Sequence, residues 1–194
     1  MTSGQRRGRW SGVPLEDRQA RRRDELVGAG IPLLGSENGP AVTVRAVCRG
    51  AGLTERYFYE SFSDRDDFVR AVYDEVCKRA MAALTSATTP REAVECFVAL
   101  MVDDPVRGRV LLLAPGAEPV LNSCGSEWMP NFIDLLQRKL TTITDPVIQN
   151  MTATSLIGGL TALFTAYLDG RLTANRSQFI DFCVDMLMRQ RTPL

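Results

Sequence analysis

Residues 146–168, "PVIQNMTATSLIGGLTALFTAYL", run twenty-three positions without a charged side chain. That is about the length of a bilayer-spanning helix of ~20 residues. The run also carries Gln149, Asn150, four threonines and Ser155, polar groups that are costly against lipid. The pattern fits better a helix covered on most of its sides, inside a domain or against a second subunit. Apolar residues elsewhere recur at the same helical spacing. Val27, Ile31 and Leu34 form one such stripe, and Phe68, Val72 and Val76 another. Val94, Phe97, Val98 and Met101 make a third, and Phe132, Leu136, Leu140 and Ile143 a fourth. No strand run and no internal repeat stands out, so the expectation is an all-α chain of about nine helices.

The breaks between stripes place the elements. Pro14 sits near the start of a first helix that reaches Leu34, weakened by Gly28, Gly30 and Pro32. "ENGP" (37–40) reads as a loop and "AGL" (51–53) as a tight turn. Thr43 and Thr54 are placed to cap short helices, and Ser63 to start a long one running from Asp64 to about Thr85. Residues 115–130, with three prolines and two glycines, read as a loop or broken helix. Ser177 begins the last helix.

Composition removes several kinds of chemistry. The chain has no histidine, which excludes every histidine-based triad, proton shuttle or metal site. Five cysteines (48, 77, 96, 124, 183) are odd in number and lack any C-x-x-C spacing. They read as small buried apolar residues of a reducing cytosol, so no metal and no cofactor is expected and the chain is assigned to the cytoplasm. Twenty-three basic and 23 acidic residues cancel, but residues 1–25 hold seven arginines against four acids. That end lacks the apolar run of a signal peptide.

Two short helices joined by a glycine-containing turn, at 43–62, describe a helix-turn-helix. Phe58 and Phe62, four apart, share one face and can reach a core, which leaves Thr54, Glu55, Arg56, Tyr57 and Tyr59 on the other faces. The segment "TVRAVCRGAGLTERYFYESFSDRDDFVRAV" (43–72) resembles the tetracycline-repressor (TetR) family of transcriptional regulators. Thr43, Val44, Val47, Ala51, Gly52, Leu53, Thr54, Phe58, Tyr59, Phe62 and Asp66 stand at matching or conservatively changed positions, as does Gly39 before them. Cys48, Ser61 and Arg65 depart from the residues usual in that family.

The resemblance implies a three-helix DNA-binding domain (21–68) after a basic arm (1–20), then a larger helical domain (69–194) for effector binding and dimerisation. In such a motif the second helix enters the major groove. Arg56 would pair with guanine, and Glu55 would accept from a cytosine amino group. Glu55 can equally be a dipole partner or an ion-pair partner of Arg56. Tyr57 would offer its hydroxyl to bases, Tyr59 would touch phosphate and Arg45 a base. Thr43 and Arg65, at or near helix N-termini, would meet phosphate. The arm either reaches a minor groove or is solvated.

Beyond the DNA-binding end, the resemblance implies an apolar pocket for a lipophilic effector. Phe97, Met101, Trp128, Met129, Phe132 and Leu136 are its candidate lining. It also implies a homodimer. Leu156, Leu160, Leu163, Phe164 and Tyr167, with Phe179, Phe182, Met186 and Leu187, are the candidate interface, where Gly158 and Gly159 permit close approach. The expected role is a ligand-responsive repressor binding a near-palindromic operator in double-stranded DNA. The competing expectations are a non-specific DNA-architectural protein and a small helical enzyme using carboxylate or cysteine chemistry.

Overall fold

The computed structural model describes residues 15–37 and 41–189. Pro14, Gly39, most of the expected 37–40 loop and most of the basic arm lie outside those residues. Among the described residues there are ten α-helices, one 3-10 turn and no strand.

Helix α1 (Leu15–Leu34) opens with Glu16 and Asp17, which suit the positive end of its dipole, and carries Pro32 inside its last turn. It ends at Gly35, whose position admits no side chain: a Cβ there would lie 2.1 Å from the Val106 carbonyl oxygen. Helix α2 (Val44–Ala51) is capped by Thr43, whose Oγ1 accepts from the Ala46 N–H at 3.2 Å. Gly52 then turns the chain at φ +65°, a left-handed conformation open to glycine, and α3 (Glu55–Ser61) follows. Thr54 holds the N-cap position of α3 in extended conformation but makes no side-chain capping bond.

Helix α4 (Arg65–Ser86) is capped by Asp64, not by Ser63. The Asp64 carboxylate accepts from the Asp67 N–H at 2.8 Å, and Asp67 accepts in return from the Ser63 N–H at 3.0 Å. The first bond satisfies a donor that the helix start leaves open, and the second ties down the residue before the cap. Helix α5 (Pro90–Met101) is capped by Thr89, α6 (Pro105–Leu112) by Asp104 and α9 (Pro146–Leu168) by Asp145. Of the loop and the broken helix expected over 115–130, the structure has the broken helix. It contains α7 (Ala114–Ala117), the 3-10 turn Pro119–Leu121 and the first turns of α8 (Cys124–Lys139). Pro130 sits inside α8, but it and Ser126 are exposed, so the carbonyl it leaves unbonded is open to water. Helix α10 (Arg176–Arg189) starts one residue before the expected Ser177 and is capped by Asn175, which exchanges bonds with Gln178.

One core runs without interruption from Leu26 and Val27 on α1, through Val47, Phe58 and Phe62, to Phe68, Val72 and Val76 on α4 and on to Met101, Val110 and Leu121. Helix α4 crosses the boundary expected at 68/69 within that core. A second core joins α5, α9 and α10 through Val94, Val98, Phe164, Phe179 and Cys183. Only Ala153, Leu156 and Phe164 of α9 are buried within the protomer, so this helix is not enclosed on most sides by its own chain. It is the one described helix whose length and apolar composition would suffice to cross a membrane.

Candidate nucleic-acid interface and an apolar cavity

Helix α3 is anchored by aromatic packing. Phe58 and Phe62 are buried, with ring centroids 5.4 Å apart, and Phe68 at the start of α4 lies 5.3 and 5.0 Å from them. This cluster turns the opposite faces of α3 outward. Tyr59 is 58% exposed and meets Phe58 only edge-on. Thr54, Glu55 and Arg56 are exposed, as are Thr43 and Arg45 around the start of α2. Because Thr43 Oγ1 accepts the capping bond, its hydroxyl proton remains a donor for phosphate.

The ion pairs differ from those the sequence suggests. Glu55 does not pair with Arg56. It lies 3.9 Å from Arg45 Nε, while Arg56 Nε donates to Glu60 Oε1 at 2.9 Å, one turn further along α3. Arg45 and Arg56 nonetheless keep 88% and 84% of their side chains in solvent. Tyr57 is half-buried beneath the Arg22 guanidinium, 4.3 Å above its ring, so α1 covers a face expected to be open to bases.

Arg65 is the larger correction. It faces the rest of the protein. Its Nε donates to the Val42 carbonyl at 2.8 Å, and Nη2 reaches both Glu118 oxygens at 2.8 and 2.9 Å. Nη1 donates to Asp66 at 3.1 Å. With four of its five N–H donors committed, Arg65 ties the segment before α2 and the start of α4 to the turn after α7. Glu118, 53 residues away, carries no local sign of this role.

Between α4, α5, α6, α8 and α9 lies a cavity of about 310 Å³, at the low end for ligand pockets of roughly 300–1,000 Å³. Phe97, Trp128, Met129, Phe132 and Leu136 stand on its wall. Met101 does not, because it is fully buried in the core beside Val110 and Leu121. Tyr73, Leu84, Leu111, Ile157 and Lys139 are among the further wall residues, in places that the sequence stripes do not mark. Trp128 is oriented by donating its indole N–H to Asp74 at 2.8 Å.

Three residues expected at a dimer interface also line the cavity: Leu160, Phe164 and Leu187. Leu156, Phe164 and Phe179 are buried inside the protomer, which takes them off its surface. Leu163 and Tyr167 pack on the second core, and Met186 on the third around Leu140 and Ala153. Of the nine, Phe182 alone is a largely exposed side chain, at 58%. Helices α9 and α10 use their most apolar stripes to close their own fold. The outer face of α9 shows instead Val147, Ile148 and Met151, followed by uncharged Thr154, Ser155, Gly158 and Ala162, with Phe182 and Met188 exposed on α10. Their spacing from Val147 onward was readable, but the stronger inner stripe masked it.

The cysteines are placed for packing. Burial pushes the Cys77 thiol up to about 12 and the Cys183 thiol to about 11, and raises Cys48 and Cys124 as well. These four stay protonated near neutral pH and are poor nucleophiles. Among the described residues no group of three or more His, Cys, Asp or Glu side chains is arranged to hold a metal ion.

No family model matches the sequence, and no curated protein matches it. Solved structures do resemble the fold. A TetR-like transcriptional regulator from Rhodococcus sp. aligns over 92% of this chain and 97% of its own, with TM-score 0.66 and 17% identity. The multidrug binding protein EbrR, solved with imidazole, aligns over 89% and 96%, with TM-score 0.62 and 21% identity. The fatty acid degradation regulator FadR from Bacillus halodurans aligns over 86% and 94%, with TM-score 0.63 and 13% identity. The chain therefore has the all-α fold of TetR-type regulators along nearly its whole length.

Proposed function

We propose that this chain, having the TetR-type fold, is a sequence-specific DNA-binding regulator that acts as a homodimer and responds to a lipophilic effector. The observation that carries the reading is the mounting of α3. Its aromatic side is locked into the core by Phe58 and Phe62, while Thr54, Arg56 and Tyr59 project outward beside Thr43 and Arg45. A short helix so held, two residues beyond a Gly52 turn, is shaped for a major groove. Arg56 and Arg45 supply the base-reading donors, and Thr43 and Tyr59 the phosphate contacts. Tyr57 and Arg65 act as supports for this surface.

Dimerisation is supported by the outer face of α9. It is uncharged, exposes Val147, Ile148 and Met151 at its start, and is lined by small residues where a second helix would approach. A cavity separate from the DNA face, bounded by α4 and α6, supports effector control. An effector releases DNA only by binding one orientation of the two DNA-reading ends better than another. Helix α4 and the Arg65–Glu118 pair link the cavity end of the protein to α2 and α3.

Selection of binding sites from random duplex DNA tests the reading. The expected result is an enriched near-palindrome whose half-sites lie about 34–36 Å apart. Binding without sequence preference, with affinity governed by salt alone, would instead identify an architectural protein.

A further inference from the structure

We propose that the cavity takes an apolar molecule bearing a single anionic group, and that this group docks at Lys139. The inference rests on reading the cavity as an effector site and adds the chemistry of the effector. Among the described residues, Lys139 is the sole formally charged side chain on the wall, and no carboxylate lines it. It is the last residue of α8, and its Nζ donates to the Ala87 carbonyl, at the C-terminal end of α4, at 2.8 Å. An ammonium has three donors, so two remain for a ligand. The Glu92 carboxylate takes the Thr88 N–H and hydroxyl, each at 2.7 Å, on one oxygen, which lowers its pKa, and it is near enough to feel the Lys139 charge, which helps to lower it.

The rest of the wall offers little to any other class. The Trp128 N–H is committed to Asp74, and the remaining surface is mostly aliphatic and aromatic. A cation would find aromatic faces. It would also meet the charge of Lys139, an exposed residue at the end of α8, and no carboxylate on the described wall. A carboxylate or similar anion meets a charge-assisted donor at one end and apolar walls beyond it.

The geometry also orients the guest. Leu84 and Tyr73 both line the cavity from α4, eleven residues apart, or roughly 16 Å along a helix. Lys139 lies at the Leu84 end, because its hydrogen-bond partner is Ala87. The tail of an anion held there extends toward Tyr73, Leu111 and Pro115, the side from which the chain runs on to Glu118.

The test titrates the full-length protein with decanoate, decanol and decyltrimethylammonium, each below its micelle concentration, by calorimetry. It is repeated on Lys139→Gln and Lys139→Arg. Decanoate is expected to bind at least about tenfold more tightly than either of the others. Lys139→Gln should erase that preference and leave decanol binding unchanged, and Lys139→Arg should keep it. Equal binding of decanoate and decanol by the unaltered protein overturns the anion assignment while the cavity stands. A loss on Lys139→Gln that is the same for both ligands overturns it equally. Failure of all three probes to bind overturns the effector-site reading itself.

Discussion

Replacing Glu118 by glutamine isolates the charge in the link between the two ends of the protein. Glutamine keeps the shape and can still accept one hydrogen bond from Arg65. An exposed ion pair contributes about 0–1 kcal/mol, whereas a hydrogen bond to a charged group contributes about 1.5–3 kcal/mol. Arg65 leaves 37% of its side chain in water and Glu118 23%, so solvent screening puts the pair near the lower range. Glu118→Gln should therefore cost about 1 kcal/mol. Arg65→Met also removes the donor to the Val42 carbonyl, adding about 1 kcal/mol, for a total near 2 kcal/mol. The double variant should match Arg65→Met alone to within about 0.5 kcal/mol, since Glu118 then has no partner to lose. Thermal unfolding followed by circular dichroism reads these losses as about 2–4 °C per kcal/mol for a chain of this size. The Glu118→Gln loss should shrink at high salt. Strictly additive costs in the double variant would refute the reasoning, because they would mean that the two side chains act independently.

Gly158→Glu tests the outer face of α9. A Cβ at Gly158 meets nothing within 4 Å inside the protomer, so the fold should be retained while a charge enters the uncharged face. Sedimentation should show monomers with an unchanged helical spectrum, and persistent dimers would remove this face from the interface. Phe62→Ala, at a buried ring between Phe58 and Phe68, should cost about 3–5 kcal/mol in urea unfolding; a loss below about 1 kcal/mol would contradict the anchoring of α3. Arg56→Ala should weaken operator binding by about 1–3 kcal/mol and relax preference at one base of each half-site. Uniform weakening across sequences would make Arg56 a phosphate contact instead.

Stability should be flat across neutral pH and fall only in acid. Backbone N–H bonds from Asp67 and Thr88 hold Asp64 and Glu92 below their usual carboxylate values, and the Arg176 hydrogen bond does the same for Asp103. Stabilisation from a lowered carboxylate is fully present above its unfolded value of about 4 and is lost as pH falls through the folded one. With no histidine in the chain, a transition between about pH 5.5 and 8 in a melting series would contradict this account.

The helix-turn-helix was legible because its determinants are local. Thr43, Gly52, Phe58 and Phe62 are set by capping, by a left-handed turn and by spacing along one helix. The cavity was half legible: Phe97, Trp128 and Phe132 belong to strong stripes, whereas Lys139 is a single lysine at a helix end. Met101 shows the limit from the other side, since it shares its stripe with Phe97 yet is enclosed in the core.

The sequence by itself determined that this protein is helical, which side chains share a face of each helix, where most helices begin, and that histidine chemistry is absent. Only the tertiary structure decided what each face meets. Leu160, Phe164 and Leu187 went to the cavity, Val147 and Met151 to the surface, and Arg65 to Glu118 across 53 residues. The reason is physical: periodicity and capping act within a few residues along one helix. The neighbour that covers a face is set by how the helices pack together, through close approaches such as that of Gly35 to Val106.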